Sequence, residues 1–338
     1  MTKSPETYRV DDQELLLGFY KKLLWDRITP RIPASVTPNA LTVIGQSLAV
    51  LSAVACAGAV PWGSSPGYPI FFVVSAFCML GYLTLDNIDG AHARRTGQCS
   101  PLGEFLDHGL DGLGSSAILI VTGLVLSLDG TMMALICTLG ALGFASMFWE
   151  QFRTGILVIP KVSSTEGITV LVIYQLLVAI FGQPEWLRFS LEHITAGTVI
   201  IGLVVVAYAF ATVPPFVRAA KAGFSPLEMT PFLILAAIQV AFAPLGANGL
   251  IPAMTTGLMA ASLTCRMIIF RHRTEPGTLV PIAMYLAAVP FALALALPNL
   301  WTYSGWAAIS AAIVAVDYAR ILWSGSQLLM AHAREAVS

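Results

Sequence analysis

The sequence has 338 residues, of which 57% are hydrophobic and only 11% are charged. Soluble domains carry roughly 25% charged residues, so the composition excludes an ordinary soluble protein and favours a polytopic membrane protein. The formal net charge of −1 and the lack of a basic tract argue against nucleic acid as a partner. The five cysteines show no CxxC spacing, which indicates neither a disulfide framework nor a zinc site.

Residues 1–40 precede the first long apolar run. Their stretch ELLLGFYKKLLWDRITPRI interleaves leucine and aromatic residues with lysine and arginine. This pattern predicts an amphipathic helix that lies on an anionic membrane surface, and a helix packed against the membrane bundle is the equal alternative. We expect no cleaved signal peptide, because a short apolar segment followed by a small-residue cleavage site is not found here.

Ten apolar runs follow, each suited to crossing a hydrocarbon core of about 30 Å as a helix. The predicted fold is therefore an all-α polytopic membrane protein with about ten transmembrane helices plus the N-terminal interfacial helix. The runs are 41–59, 68–85, 113–128, 131–148, 166–182, 195–213, 230–247, 251–270, 279–297 and 301–319.

Basic residues predict the orientation of these spans, because short cytoplasmic loops retain lysine and arginine. With the N-terminus inside, 17 of the 18 basic residues fall on the cytoplasmic side, and Arg188 is the exception. Both termini are then cytoplasmic, in a bacterial inner membrane or an endoplasmic reticulum. We predict one membrane domain over 1–338: an interfacial segment (1–40), catalytic helices (41–182), and packing or dimerisation helices (183–338) that form a homodimer.

Four aspartates gather between the second and third spans. Asp86 and Asp89 are three residues apart and Asp107 and Asp111 are four apart, so each pair lies on one helix face. The glycine- and proline-containing segment between the pairs predicts a turn that brings the two helices together, antiparallel, on the cytoplasmic side.

Four converging carboxylates repel one another and require a positive charge among them. Hard oxygen ligands favour Mg²⁺, Mn²⁺ or Ca²⁺, and the EF-hand spacing is absent. Two divalent cations, Mg²⁺ or Mn²⁺, fit better, because such a pair suits phosphoryl chemistry. Gly90 and Gly103 allow close backbone approach, and Arg94 can bind phosphate in its forked geometry.

The spacing D-x-x-D-G-x-x-A-R, followed by G-x-x-x-D-x-x-x-D, resembles the signature of the CDP-alcohol phosphotransferase family. The stretches ARRTGQCSPLGEFLDHG, PNALTVIG, WEQFRTGIL and STEG resemble its choline/ethanolamine phosphotransferase branch. The matching positions are Asp86, Asp89, Gly90, Ala93, Arg94, Gly103, Asp107 and Asp111.

The resemblance implies a membrane enzyme that transfers phosphocholine or phosphoethanolamine from CDP-choline or CDP-ethanolamine to diacylglycerol. CMP is released, and the product joins the membrane lipids. It implies that the four aspartates hold two divalent cations and that Gly90, Ala93, Arg94 and Gly103 belong to the binding site. Asn39 and Thr42 become candidates for cytidine contacts, with a helix-start signal as their alternative role.

A general base must accept the proton of the acceptor hydroxyl, and two candidates stay open. Asp111 is often given this role in the family, whereas His108 lies three residues earlier and titrates near neutrality. Glu166 is a candidate to orient His108, and its alternative role is to complete a helix N-terminus.

Two rival functions remain. Another CDP-alcohol phosphotransferase, with an inositol or glycerol phosphate acceptor, would want more cationic residues near the metals. An ion-coupled transporter is the distant alternative, because intramembrane acids also mark ion pathways.

Overall fold

The computed structural model describes residues 9–61, 67–184, 190–191, 194–245, 249–272 and 279–335. Arg188, the predicted exception to the charge rule, lies outside these residues. The chain divides into two compact units. The first unit comprises Gln13–Leu128, Pro160–Gly202 and Leu329–Ser338, and the second comprises Met1–Asp12, Asp129–Ile159 and Leu203–Leu328.

Helices dominate the described residues. In chain order the elements are β1 (Arg9–Asp12), α1 (Leu17–Tyr20), a π-helical segment (Lys21–Trp25), α2 (Asp26–Ile28), a 3-10 turn (Thr29–Arg31), α3 (Pro38–Ala59), α4 (Ile70–Thr96), α5 (Pro101–Val125), α6 (Gly130–Thr154), β2 (Ile156–Ile159), α7 (Ser164–Phe181), β3 (Ser190–Leu191), β4 (Ile194–Thr195), α8 (Ala196–Lys221), a 3-10 turn (Pro226–Met229), α9 (Thr230–Phe242), a 3-10 turn (Ala243–Leu245), α10 (Leu250–His272), α11 (Ile282–Leu286), α12 (Val289–Ala296) and α13 (Tyr303–Glu335).

In the first unit, α3 packs along both α4 and α5, and α7 packs on α4. Apolar and small side chains fill these contacts; Ala49, Met79 and Phe105 are fully buried. Strand β3 pairs with β4, antiparallel. The strongly apolar faces of α3 and α4 that do not pack inside the unit stay exposed, as expected of helices that contact lipid.

The N-terminal segment is helical, as predicted, although its hydrogen-bonding geometry changes along its length. Tyr20 and Trp25 are buried and their rings stack with centroids 5.2 Å apart. Leu15, Phe19 and Leu23 are exposed. One face therefore packs on the first unit while apolar side chains on another face remain available to a membrane surface, so each of the two sequence-based interpretations keeps support.

In the second unit, α10 packs along α6 and most of its residues are buried. Aromatic and methionine side chains such as Trp149, Phe232 and Met259 fill its core. Strand β1 pairs with β2, parallel, with Arg9 opposite Ile156.

Nine helices among the described residues are long and apolar enough to cross a membrane: Pro38–Ala59, Ile70–Thr96, Pro101–Val125, Gly130–Thr154, Ser164–Phe181, Gly202–Lys221, Pro226–Leu245, Leu250–His272 and Tyr303–Ala331. This confirms the predicted class of an all-α, multi-pass membrane protein. The predicted span at 279–297 contains an apolar helical stretch, Ile282–Ala296, which is shorter than the other nine and is divided into α11 and α12. Pro290 lacks the amide hydrogen that a continuous helix would need there.

Candidate active site

Two helices of the first unit carry the four aspartates. Helix α4 continues past the predicted apolar span and ends at Gly97, whose φ of 69° lies in the left-handed region that glycine tolerates. Helix α5 starts after Ser100, whose hydroxyl accepts a 3.0 Å hydrogen bond from Gly103 N, with Pro101 in the first turn. The acid pairs are thus helical residues, as their spacing predicts.

The four carboxyl groups converge. Asp86 lies near enough to Asp89, Asp107 and Asp111 for mutual charge repulsion, and Asp89 and Asp107 repel one another in the same way. Helix α3 packs on both α4 and α5 and so sets the separation between them. The predicted turn therefore works together with a third helix, which the spacing of the acids alone does not reveal.

Hydrogen-bond donors on α3 hold two of these carboxylates. Thr42 Oγ1 donates to Asp89 Oδ2 at 2.5 Å, and Gln46 Nε2 donates to Asp111 Oδ1 at 2.9 Å. Thr42 is a predicted cytidine contact, and in the structure its hydroxyl donates to an aspartate of the cluster. Its role toward cytidine stays a prediction. Gln46 was missed, although its spacing of four from Thr42 places both on one helix face and could have identified it.

A glycine on α5 makes room for this arrangement. A Cβ added at Gly114 would lie 2.6 Å from Gln46 Oε1 and 2.8 Å from the hydroxyl oxygen of Tyr82. Any side chain at position 114 would displace both polar groups. Gly114 and Tyr82 lie outside the recognised signature, and only the packed structure identifies them as neighbours of the site.

Five predicted binding residues lie on α3, α4 and α5, the helices that carry the aspartates and their hydrogen-bond donors. Asn39 Oδ1 would be 3.3 Å from a Cβ added at Gly103, so the side chain of Asn39 lies against the start of α5. The guanidinium of exposed Arg94 turns back toward Gly90, whose added Cβ would lie 3.4 Å from Arg94 Nη1. Buried Ala93 lies in the last turn of α4, and its carbonyl oxygen accepts a 2.9 Å hydrogen bond from the amide of residue 98, just after the helix. The binding roles of these residues stay predictions.

His108 lies beside Asp111. Its Nδ1 is 3.6 Å from Asp111 Oδ2, and each side chain is less than one fifth exposed. One ligand atom from each of Asp107, His108 and Asp111 falls within 4.8 Å of the others, a spacing that could hold a metal ion. The structure therefore keeps both base candidates at the cluster.

Glu166 makes the contacts of its alternative role. It caps the start of α7, where Glu166 Oε2 accepts from Ser163 N at 2.9 Å, and Glu166 Oε1 accepts from Leu16 N at 2.8 Å. Both of its carboxylate oxygens thus bind backbone amides. The predicted orienting role toward His108 gains no support from these contacts and stays a prediction.

The cluster has the chemistry of a divalent-cation site. Within the described residues, none of the four aspartates forms a salt bridge with lysine or arginine, and the buried Asp86 Oδ1 has no hydrogen-bond partner. A buried polar oxygen without a partner is costly, and hard oxygen donors match Mg²⁺ or Mn²⁺. The residues present therefore fit the predicted metal group.

Comparisons with known proteins agree with this site. The chain is 27% identical over 319 residues to choline/ethanolaminephosphotransferase 1 of Arabidopsis thaliana, covering 85% of this chain and 81% of that protein. It is 32% identical over 166 residues to cholinephosphotransferase 1 of Gallus gallus, covering 48% of this chain and 49% of the relative. It is also 32% identical over 168 residues to cholinephosphotransferase 1 of Homo sapiens, covering 49% and 41%.

The chain spans about half the length of the first curated relatives that it matches. The names of the Arabidopsis thaliana, Gallus gallus and Homo sapiens relatives confirm the choline/ethanolamine phosphotransferase branch that the sequence resembles. The family profile described as CDP-alcohol phosphatidyltransferase matches residues 35–213, a range that contains all four clustered aspartates. This chain belongs to the CDP-alcohol phosphatidyltransferase family.

Proposed function

We propose that this protein transfers phosphocholine or phosphoethanolamine from CDP-choline or CDP-ethanolamine to 1,2-diacylglycerol, releasing CMP. The observation that carries the proposal is the convergence of four carboxylates, with one buried oxygen unpartnered, in the family's matched region. The names of the relatives support this choice of donor and acceptor. The lipid product enters the surrounding membrane.

Asp86, Asp89, Asp107 and Asp111 would hold two divalent cations, Mg²⁺ or Mn²⁺. When bound, such a pair neutralises a diphosphate and clamps the attacking and leaving oxygens. The donors Thr42 and Gln46 fix Asp89 and Asp111 in place, so the carboxylates are oriented before a substrate arrives.

Arg94 would bind the donor's diphosphate. Its guanidinium is exposed and turned toward Gly90, on the helix that also carries Asp86 and Asp89. Asn39, against the start of α5, would contact the cytidine, and Gly90, Ala93 and Gly103 would supply backbone surface with small or absent side chains. The acceptor hydroxyl attacks the phosphorus that bears the choline or ethanolamine, and the bond from this phosphorus to the bridging oxygen breaks as CMP leaves.

The acceptor's proton goes to Asp111 or to His108. Gln46 donates to Asp111 Oδ1, which leaves Asp111 Oδ2 on the side of His108 Nδ1. Either atom lies within the cluster and could take the proton directly or by relay. Because Asp111 is also a proposed metal ligand, the variant that separates the candidates is His108→Gln: it lowers the rate strongly if His108 is the base and little if Asp111 is.

We place both termini and the site on the cytoplasmic side, where a water-soluble donor meets a lipid acceptor, and we expect a homodimer. Arginine modification by a membrane-impermeant reagent in right-side-out and inside-out vesicles tests the orientation at Arg94. Protection of Arg94 in inside-out vesicles and labelling in right-side-out ones would contradict it.

The runner-up is a CDP-alcohol phosphotransferase that uses an anionic acceptor. The direct test incubates the purified protein with Mg²⁺ or Mn²⁺ and three substrate sets: CDP-choline with diacylglycerol, CDP-ethanolamine with diacylglycerol, and CDP-diacylglycerol with inositol phosphate or glycerol phosphate. We expect CMP and a new phospholipid from the first or second set. CMP from the third set alone would overturn the proposal in favour of the runner-up. No CMP from any set would also reject it, and a cation flux in proteoliposomes would then favour transport.

A further inference from the structure

The N-terminal segment of residues 14–36, here called the strap, is fastened at its start to helix α7. Glu14 Oε1 accepts from Thr165 N at 3.0 Å, and Glu14 Oε2 accepts from Thr165 Oγ1 at 2.7 Å. In return, Leu16 N donates to Glu166 Oε1 at 2.8 Å. Glu14 of the strap thus accepts from a backbone amide of α7, and Glu166 of α7 accepts from a backbone amide of the strap. The negative charge of Glu14 also stabilises the N-terminus of α7, where backbone amides lack partners within the helix.

The strap is also fastened at its end, to helix α4 and to Gln98, which follows this helix. Three strap carbonyls accept hydrogen bonds there: Ile32 O from Arg95 Nη2 at 2.5 Å, Ala34 O from Gln98 Nε2 at 2.9 Å, and Val36 O from His92 Nε2 at 2.8 Å. Since a carbonyl oxygen only accepts, His92 Nε2 carries the proton, and His92 Nδ1 accepts from Arg95 Nη2 at 3.0 Å. His92 and Arg95 therefore form one fastening unit.

Between the two fastenings lies an apolar groove of about 600 Å³. One wall is the strap, with Leu24, Ile28, Ile32 and Val36, and the opposite wall is helix α4, with Phe77 and Leu80 among its lining residues. A hydrocarbon-lined space of this size does not stabilise water, which would lack polar partners. An acyl chain matches its lining.

The strap carries positive charge next to this groove. Lys21, Lys22, Arg27 and Arg31 are exposed, and Asp26 is the acidic residue among them. Basic side chains at a membrane surface attract anionic phospholipid headgroups. The groove and the charges together match the two ends of one anionic phospholipid.

The groove lies away from the aspartate cluster. Successive residues of an α-helix are rotated by about 100° around its axis. On α4, the mean direction of the groove-lining residues is therefore rotated by about 110° from Asp89 and by about 170° from Asp86. A lipid in the groove therefore contacts the opposite side of α4 from the candidate metal site. This separates the groove from the position of an acceptor that reacts at the aspartates.

We propose that one anionic phospholipid of the surrounding membrane binds in this groove, with an acyl chain under the strap and its headgroup on the strap's basic residues. The inference rests on the membrane fold and not on the proposed reaction. Because residues that follow the strap lead into α3, which carries Thr42 and Gln46, the bound lipid also stabilises the start of the helix that orients Asp89 and Asp111.

Native mass spectrometry of the full chain tests the proposal. The protein is released from nanodiscs that contain equal amounts of phosphatidylglycerol and phosphatidylcholine, and retained lipids are counted. We expect one phosphatidylglycerol per chain in the natural protein. Val36→Trp fills the groove and should lose this lipid, whereas the matched control Val43→Trp, at an exposed position of α3, should keep it.

A second pair of variants avoids any change to the groove. Arg27→Gln with Arg31→Gln should retain at least about tenfold less phosphatidylglycerol, since two charges at about 1 kcal/mol each are removed. The control Lys221→Gln with Arg320→Gln removes two exposed charges from other helices and should behave as the natural protein does. Equal retention of both lipids, or retention that neither variant set changes, would overturn the proposal. Failure of the reaction would leave these counts unaffected, so the two proposals fail separately.

Discussion

The intramembrane acids of the two units differ in their partners. In the second unit, Asp317 of α13 binds Arg266 Nη2 at 2.7 Å and Ser262 Oγ at 2.6 Å. Glu150 forms a two-pronged ion pair with Arg218, at 2.5 and 2.7 Å. Each of these carboxylates has a fixed cation from the chain itself. The four aspartates of the first unit instead have no such cation among the described residues, and two of them, Asp89 and Asp111, accept hydrogen bonds from the neutral side chains of Thr42 and Gln46.

This difference separates two uses of buried charge. A carboxylate that is paired within the chain holds helices together, and removing it leaves its arginine buried and uncompensated. Carboxylates that lie together without such cations repel one another and destabilise the helices that carry them, and binding of a metal cation removes this repulsion. The first pattern is expected to affect mainly folding, and the second mainly function.

The largest expected effect is on the reaction. Asp107→Ala should lower the rate of CMP release by at least about a hundredfold, the scale seen when one electrostatic contact to a reacting group is removed. Its thermal unfolding midpoint without metal should not fall, because the substitution relieves repulsion. The control Asp129→Ala removes an exposed helix cap and should cost about 1 kcal/mol of stability with the rate unchanged. Full activity in Asp107→Ala would break the comparison.

The counterpart in the second unit is a loss of stability. Asp317→Ala should lower the free energy of unfolding by about 3 to 5 kcal/mol, because Arg266 loses its partner. Detergent-resistance or steric-trapping measurements give this quantity. Replacing both partners, as Asp317→Leu with Arg266→Met, should recover most of the loss. A large loss of CMP release in a fully stable Asp317→Ala protein would contradict the structural role.

Divalent metal should stabilise the first unit selectively. At a metal concentration of 100 times Kd, binding adds about 2.7 kcal/mol to the stability of a folded protein that binds one ion. We expect Mg²⁺ or Mn²⁺ to raise the unfolding midpoint of the natural protein and of Asp317→Ala, but not that of Asp86→Ala. The same rise in all three proteins would show that the aspartates are not the ligands.

The smallest expected effect concerns the donors on α3. Thr42→Val removes the hydrogen bond to Asp89 and should slow CMP release about tenfold, since a hydrogen bond to a charged group contributes about 1.5 to 3 kcal/mol. Ser47→Ala on the same helix removes only a bond to the carbonyl of residue 43 and serves as the control. Equal rates for the two variants would remove Thr42 from the account.

Much of the membrane fold can be predicted from the sequence, because an apolar run long enough to cross a bilayer indicates a transmembrane helix. The broken stretch at α11 and α12 shows the limit, since hydropathy alone does not register where Pro290 interrupts a helix. The acid pairs were likewise predictable, because spacings of three and four residues place side chains on one helix face. The predicted single domain and its segment boundaries stay predictions.

Other parts of the site depend on packing between distant segments. Gln46 approaches Asp111 across 65 residues of sequence, and Gly114 makes room for it. The spacing of Gln46 from Thr42 puts both on one helix face, but it does not identify Asp111 as the partner of Gln46. Glu166 lies three residues after Ser163, the spacing of a helix capping box, and its carboxylate is also of a type that can act in catalysis. Its contact with Leu16, 150 residues away, is what favours the capping role.

The most direct test of the central claim counts metal ions at the four aspartates. Electron paramagnetic resonance of the purified protein, titrated with Mn²⁺, gives the number of bound ions per chain and their magnetic coupling. The account predicts two coupled ions in the natural protein, and loss of the coupled pair in Asp86→Asn and in Asp107→Asn. No bound Mn²⁺, or a coupled pair that persists in both variants, would contradict it.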